Sequence, residues 1–103
     1  MIKLIALYTK PAYEAAFMRH YAEVHTPLVL AVPGLERLEV TRLTRDPVGG
    51  GEPAYFLMAE MYYPDPDTFK AAMRSPENAA TGADLKSFAA GVVTLLQGEV
   101  LMG

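Results

Sequence analysis

The stretch Ala54-Tyr55-Phe56-Leu57-Met58-Ala59-Glu60-Met61-Tyr62-Tyr63 contains neither glycine nor proline, and all but one of its side chains are apolar or aromatic. In a strand, successive side chains point to opposite faces, so Phe56, Met58 and Tyr62 share one face while Tyr55, Leu57, Ala59 and Met61 share the other. Both faces are apolar, which predicts a strand inside a sheet covered on both sides.

Working outward, residues 35–44 alternate well enough for a preceding strand. Asp46-Pro47-Val48-Gly49-Gly50-Gly51-Glu52-Pro53 then makes a flexible hairpin connection into the third strand. Residues 2–9 are an apolar, β-branched run closed by Lys10-Pro11, predicting a buried first strand. Between these strands, Tyr13, Phe17, Tyr21, Val24 and Leu28 recur at helical spacing with Arg19 and Glu23 on the opposite side, the pattern of an amphipathic helix. Pro27 lacks a backbone donor and biases Thr26 away from helical backbone. The helix is therefore expected to stop or kink there, restart with Thr26 as N-cap, and end at Pro33-Gly34.

Downstream, Pro64-Asp65-Pro66-Asp67 starts a helix whose buried stripe is Phe69, Ala72 and Met73. Ser75-Pro76 starts another stretch through Ala79, Ala80, Ala83, Leu85 and Phe88, with Gly82 an expected interruption and Gly91 its close. Residues 92–102 form a last β-rich run, with Gly98 an expected bulge. The order is β-α-β-β-α-β, an α+β, ferredoxin-like arrangement with an antiparallel four-stranded sheet and helices on one face. Helices cover one side only. A second copy is the simplest cover for the other, so a homodimer is expected. The 103 residues suit one domain, residues 1–103.

Hydrophobic residues at 51% and charged residues at 20% argue for a packed globule and against disorder. The net charge of −3 leaves no cation surplus for phosphates, so no nucleic acid partner is expected. With no cysteine there is no disulfide, thiolate metal site, iron–sulfur cluster or cysteine nucleophile, and a reducing, cytoplasmic setting is expected. The apolar run at residues 2–8 is broken by Lys3 and far shorter than the roughly 20 residues of a spanning helix, so no membrane partner is expected either.

Few residues remain to carry chemistry. The only serines, Ser75 and Ser87, lie in no nucleophile-elbow pattern, and the three glycines at 49–51 lack the Lys-Ser/Thr of a phosphate loop. His20 and His25 are five apart, about 140° around a straight helix, so they cannot chelate one ion and no metal site is expected. His25 sits beside Tyr21 and Leu28 where Pro27 interrupts the helix. Two roles stay open for it: hydrogen bonding to the carbonyls stranded by the proline, or service in a pocket. The helix dipole would raise its pKa and burial would lower it. Tyr8 ends the first strand on the side of Leu4 and Ala6, where its hydroxyl reads either as a ligand-orienting group or as a wet rim group. Tyr21, one turn before His25, reads as core or pocket lining, and Asp84 as a holder of the His25 ring or the cap of a helix restarted after Gly82. Glu60 shares its face with Phe56, Met58 and Tyr62 and needs a partner, expected to be Arg37 or Arg42.

Phe17, Tyr21, His25-Thr26-Pro27-Leu28-Val29 and Pro33-Gly34-Leu35 resemble the signature of EthD-like proteins. Met61-Tyr62-Tyr63, Asp65, Phe69, Ser75-Pro76-Glu77, Asp84 and Phe88 continue the likeness, which spans nearly the whole chain. Ala22 departs from it, because many members carry Trp or Tyr there. The resemblance implies a dimeric α+β barrel with a pocket between sheet and helices, on a fold shared with polyketide cyclases, lactone isomerases, decarboxylases, dehydratases and cofactor-free monooxygenases. It implies His25 as general acid/base, with Tyr8, Tyr21, Asp84 and Phe88 around a small apolar or aromatic ligand, and no cofactor. Catalysis on a small carbonyl or phenolic compound, a non-catalytic binding or accessory role, and a haem-linked or oxygen-using variant all remain open on this scaffold. His20 has no match in the signature and is expected at the rim.

Overall fold

A computed structural model describes residues 1–103. Strand β1 (Ile2–Tyr8) leads into α1 (Glu14–His20), a π-helical turn (Tyr21–His25) and α2 (Thr26–Leu30). Strands β2 (Arg37–Arg42) and β3 (Leu57–Tyr63) follow, then α3 (Pro66–Met73), α4 (Pro76–Phe88) and β4 (Val93–Glu99). The strands form one antiparallel sheet in the order β2-β3-β1-β4, which is the α+β, ferredoxin-like topology.

The register fixes both faces. Leu4 pairs with Met61, Ala6 with Ala59 and Tyr8 with Leu57. These positions, with Leu95 opposite Ala6, face the helices. Ile5, Leu7, Met58, Glu60, Tyr62 and Leu96 fall on the other face. Under the helices Phe17 joins Tyr8, Tyr21, Phe56 and Phe88 in an aromatic cluster with ring centroids 5.1–6.3 Å apart. A second contact, Tyr63 edge-on to Phe69 at 5.2 Å, seats α3 on β3.

Local chemistry sets the helix starts. Asp65 caps α3 by accepting from the Thr68 amide at 2.7 Å, and Ser75 caps α4 by accepting from Asn78 at 3.1 Å, each followed by proline at the first helical position. Gly34 has φ of +83°, and a Cβ there would lie 2.5 Å from the Thr68 methyl, so only glycine fits the turn beneath α3.

Four expectations are corrected. The first helix does not break at Pro27: Thr26 keeps helical angles (φ −57°, ψ −46°), caps nothing, and bonds back through its hydroxyl to the Tyr21 carbonyl at 2.8 Å. A proline ring collides with the carbonyl four residues earlier, and the wider π turn just before it gives room without ending the helix. Gly82 does not interrupt α4, which runs through it. The hairpin strands and β4 are shorter than expected, at 37–42, 57–63 and 93–99. Glu60 takes Lys3 as partner, at 2.6 Å, rather than an arginine. In the register Glu39 stands opposite Glu60, Arg37 lies over the Tyr62 ring at 4.1 Å, and Arg42 reaches Glu14 at 2.9 Å.

Candidate functional site

Between sheet and helices lies a cavity of about 140 Å³. Its floor is β1 and β3 (Leu4, Ala6, Tyr8, Ala59, Met61, Tyr63), its roof the π turn, α2 and α4. Twelve of the sixteen lining residues are hydrophobic, and the polar exceptions include one titratable group, His25.

The π turn explains how His25 comes to be there. Its Tyr21 carbonyl accepts the Thr26 amide five residues on. A turn of that width carries five residues about once around the axis, so His20 and His25 emerge on the same side. Both meet Asp84 on α4: His20 Nε2 lies 2.8 Å from one carboxylate oxygen and His25 Nδ1 2.9 Å from the other. Phe88, one turn further along α4, packs against both imidazoles, at 4.5 Å from His20 and 5.1 Å from His25.

A carboxylate only accepts, so the contact puts the proton of His25 on Nδ1 and leaves a lone pair on Nε2. Nε2 has no hydrogen bond to the protein, yet no buried side-chain nitrogen or oxygen lacks a partner. Nε2 therefore keeps an open side, and on a residue only 3% exposed that lines the cavity, this side is the cavity. Burial pushes the His25 pKa down from its ordinary 6.5, against the pull of the Asp84 hydrogen bond and with His20 adding to the fall. The net shift favours the neutral ring.

Tyr8 and Tyr21 stand across the cavity from one another's strand and helix, with rings 5.7 Å apart and edge-on. Burial pushes the Tyr21 phenol up to about 12, with the neighbouring Tyr8 hydroxyl opposing the rise. Tyr8 is raised further by burial, with Tyr21 and Asp84 adding to the effect, and burial also raises Tyr63. All three hydroxyls stay protonated near neutral pH and are available as donors.

The sequence-derived candidates thus divide. His25, Tyr8 and Tyr21 line the cavity, and Tyr8 is buried rather than a rim group. Asp84 and Phe88 do not line it; they stand behind the histidines, Asp84 holding the ring rather than capping a helix, because α4 has no break there to cap. His25 Nδ1 meets this carboxylate and not the carbonyls stranded by Pro27. Sequence reasoning missed His20, whose 140° separation from His25 assumed a straight helix, and missed Tyr63, Thr81 and Gly82 as lining. The His-x-Pro step was the available signal for a widened turn. No cluster of His, Cys, Asp or Glu has a metal-binding geometry, and no helix is long and apolar enough to cross a membrane.

Residues 10–91 match the model of the EthD domain. The chain is 33% identical over 96 residues to an uncharacterized 11.0 kDa protein of the thcB–thcC intergenic region in Rhodococcus erythropolis, covering 93% of this chain and 91% of that one. It is similar to the crystal structure of an EthD family protein from Bacillus halodurans, with 44% identity, a TM-score of 0.92, and coverage of 98% of this chain and 99% of that one. SnoaB, a cofactor-independent oxygenase from Streptomyces nogalater, shares the fold at 15% identity and a TM-score of 0.69, covering 99% and 94% of the two chains. The family match over most of the chain, and the relatives that span it, place this protein in the EthD family.

Proposed function

We propose that this protein binds a neutral, single-ring carbonyl or phenolic compound in the cavity and that His25 moves its proton. The observation that carries the reading is the His25 ring itself: Nδ1 is held by Asp84 while the Nε2 lone pair opens into an apolar chamber lined by tyrosine hydroxyls. The size of the chamber limits the ligand. An apolar cavity of about 150 Å³ holds benzene, so about 140 Å³ suits one ring and not a fused polycycle. No Lys or Arg lines it, so an anionic ligand would lie there unpaired.

The chemistry follows from the protonation states. Neutral His25 takes a proton from a ligand O–H, or from a C–H beside a carbonyl, onto Nε2, and the imidazolium is stabilised by Asp84. The Tyr21 hydroxyl, still protonated, donates to the oxygen on which charge gathers. Nε2 then returns a proton to the ligand, either the one it took or one exchanged with water, so protons balance and no cofactor is needed for the step. SnoaB acts without a cofactor on the same fold, which fits but does not fix this reaction.

Exchange of the protons beside the carbonyl of cyclopentanone or γ-butyrolactone for deuterium, followed by proton NMR in D₂O, tests the reading. The wild type should accelerate exchange and His25→Asn should not, with little change in melting temperature. Binding of phenol or the lactone without exchange would favour a non-catalytic binding module. No binding of any of these compounds would overturn the single-ring reading.

The outer sheet face supports a second proposal, that the protein is a homodimer of this one-domain chain. Ile5, Leu7, Met58 and Leu96 lie there around the Lys3–Glu60 pair with no helix over them, and Leu96 is 48% exposed. Sedimentation at micromolar concentration should give about twice 11.2 kDa, and a stable monomer would exclude it.

A further inference from the structure

His20 and His25 share one carboxylate. They differ sharply in surroundings: the His25 side chain is 4% exposed and that of His20 is 32% exposed. Nothing in the proton transfer described above requires His20, yet the π turn brings it round to the same oxygen pair. Widened turns of this kind recur at functional sites.

The geometry points to His20 as a positioning residue that acts through Asp84: it holds the carboxylate in place and draws off part of its hydrogen-bonding capacity, so that His25 keeps Nδ1 on the carboxylate and turns Nε2 to the cavity. The proposal rests on the reading of His25 as the working base, but its test does not.

The physical argument concerns one acceptor and two donors. Asp84 is pinned at both oxygens, by His20 at 2.8 Å and by His25 at 2.9 Å, so neither oxygen is free to swing. A carboxylate pinned on both sides orients the His25 ring more firmly than one held only by His25 itself. The second donor also competes. A carboxylate already bonded to His20 stabilises a positive charge on His25 less than an undivided one, and any positive charge on His20 repels it directly. The other titratable groups that face His25 are phenols: Tyr21 on its own helix, Tyr8 on β1 and Tyr63 on β3. None of these changes charge near neutral pH, since burial raises all three. Asp84 and its second ligand are left as the groups that set the charge state of His25 against the cost of burial.

Two substitutions separate this role from simple packing. His20→Phe keeps an aromatic ring against Phe88, 4.5 Å away, and removes the donor. His20→Gln keeps an amide donor at about the position of Nε2 and removes the ring. Nitrogen-15 NMR of the imidazoles then reports the His25 titration midpoint and tautomer directly, without any ligand. In His20→Phe the His25 midpoint should move up by about one pH unit, because Asp84 is now undivided. In His20→Gln, which keeps the donor but carries no charge, the midpoint should rise by less than in His20→Phe and the Nδ1–H tautomer should persist. The opposite pattern, a shift with glutamine and none with phenylalanine, would show that His20 only packs and would overturn the proposal, as would no shift in either variant. If His20→Phe fails to fold, His20→Leu carries the same expectation. Deuterium exchange into cyclopentanone is a separate readout, so a null result there with the NMR pattern intact would count against His25 as a base and not against His20 as its positioning residue.

Discussion

Removing the Asp84 carboxylate should show most directly whether it organises the site. In Asp84→Ala the His25 Nδ1–H, on a side chain 4% exposed, loses its acceptor, and a buried donor left unpaired costs about 1–3 kcal/mol. His20, at 32% side-chain exposure, turns to water instead, so its lost contact contributes roughly 0–1 kcal/mol. The sum centres on about 2.5 kcal/mol. For a domain of this size each kcal/mol moves the melting temperature by about 4–8 °C, so a fall of roughly 10–20 °C is expected in thermal denaturation at pH 7.5. His25 has one escape, which is to shift its proton to Nε2, and nitrogen-15 NMR should show that tautomer gaining population. Replacing both members by apolar groups, His25→Phe with Asp84→Leu, removes the orphaned donor together with its acceptor, so the double variant should be more stable than the two single losses summed. A melting temperature for Asp84→Ala within about 2 °C of wild type, with the His25 tautomer unchanged, would refute the claim that Asp84 holds the ring.

Stability should also depend on pH through His25. Its folded pKa lies below the ordinary 6.5, so the unfolded chain binds a proton first as pH falls and stability declines below about 6.5 until the folded ring titrates too; melting curves from pH 8 to 5 check this, and His25→Gln should flatten the slope. Gly82→Ala places a methyl where nothing lies within 4 Å, inside α4 and beside the cavity, so it should raise stability by up to about 1 kcal/mol while weakening phenol binding measured by calorimetry. Pro27→Ala restores a backbone donor and lets the helix compete for ordinary α spacing; loss of the His25 contact to Asp84 by NMR is expected, and an unchanged contact would mean that the proline does not hold the π turn.

The sheet could be read from residues because alternation is a short-range signal: Ala59, Met61 and Tyr63 against Leu4, Ala6 and Tyr8 is already implied once both strands are recognised. The identity of the partner for Glu60 was not. The two strands that flank β3 both offer cations, and the choice of Lys3 depends on a register that puts Glu39, not an arginine, opposite Glu60. At the site, His25 stood out through its step to Pro27, whereas His20 was hidden by the assumption of 3.6 residues per turn. Asp84 was ambiguous for a related reason, since a carboxylate after a glycine serves equally as a cap, and only an unbroken α4 frees it for the imidazoles.

The widened turn at Tyr21–His25 holds one more residue than an α-helical turn would, and this makes the chain sensitive to length rather than to composition. Each residue advances an α-helix by about 100°. Deleting Ala22, whose side chain is exposed, would remove no cavity residue and still rotate everything before the turn by that angle relative to everything after it. Phe17 and His20 would then point away from the face on which His25 stays. The histidine pair is in this sense a matter of phase: a single uncounted residue keeps two stretches of helix in step, and tolerance to substitution within the turn should greatly exceed tolerance to its being shortened.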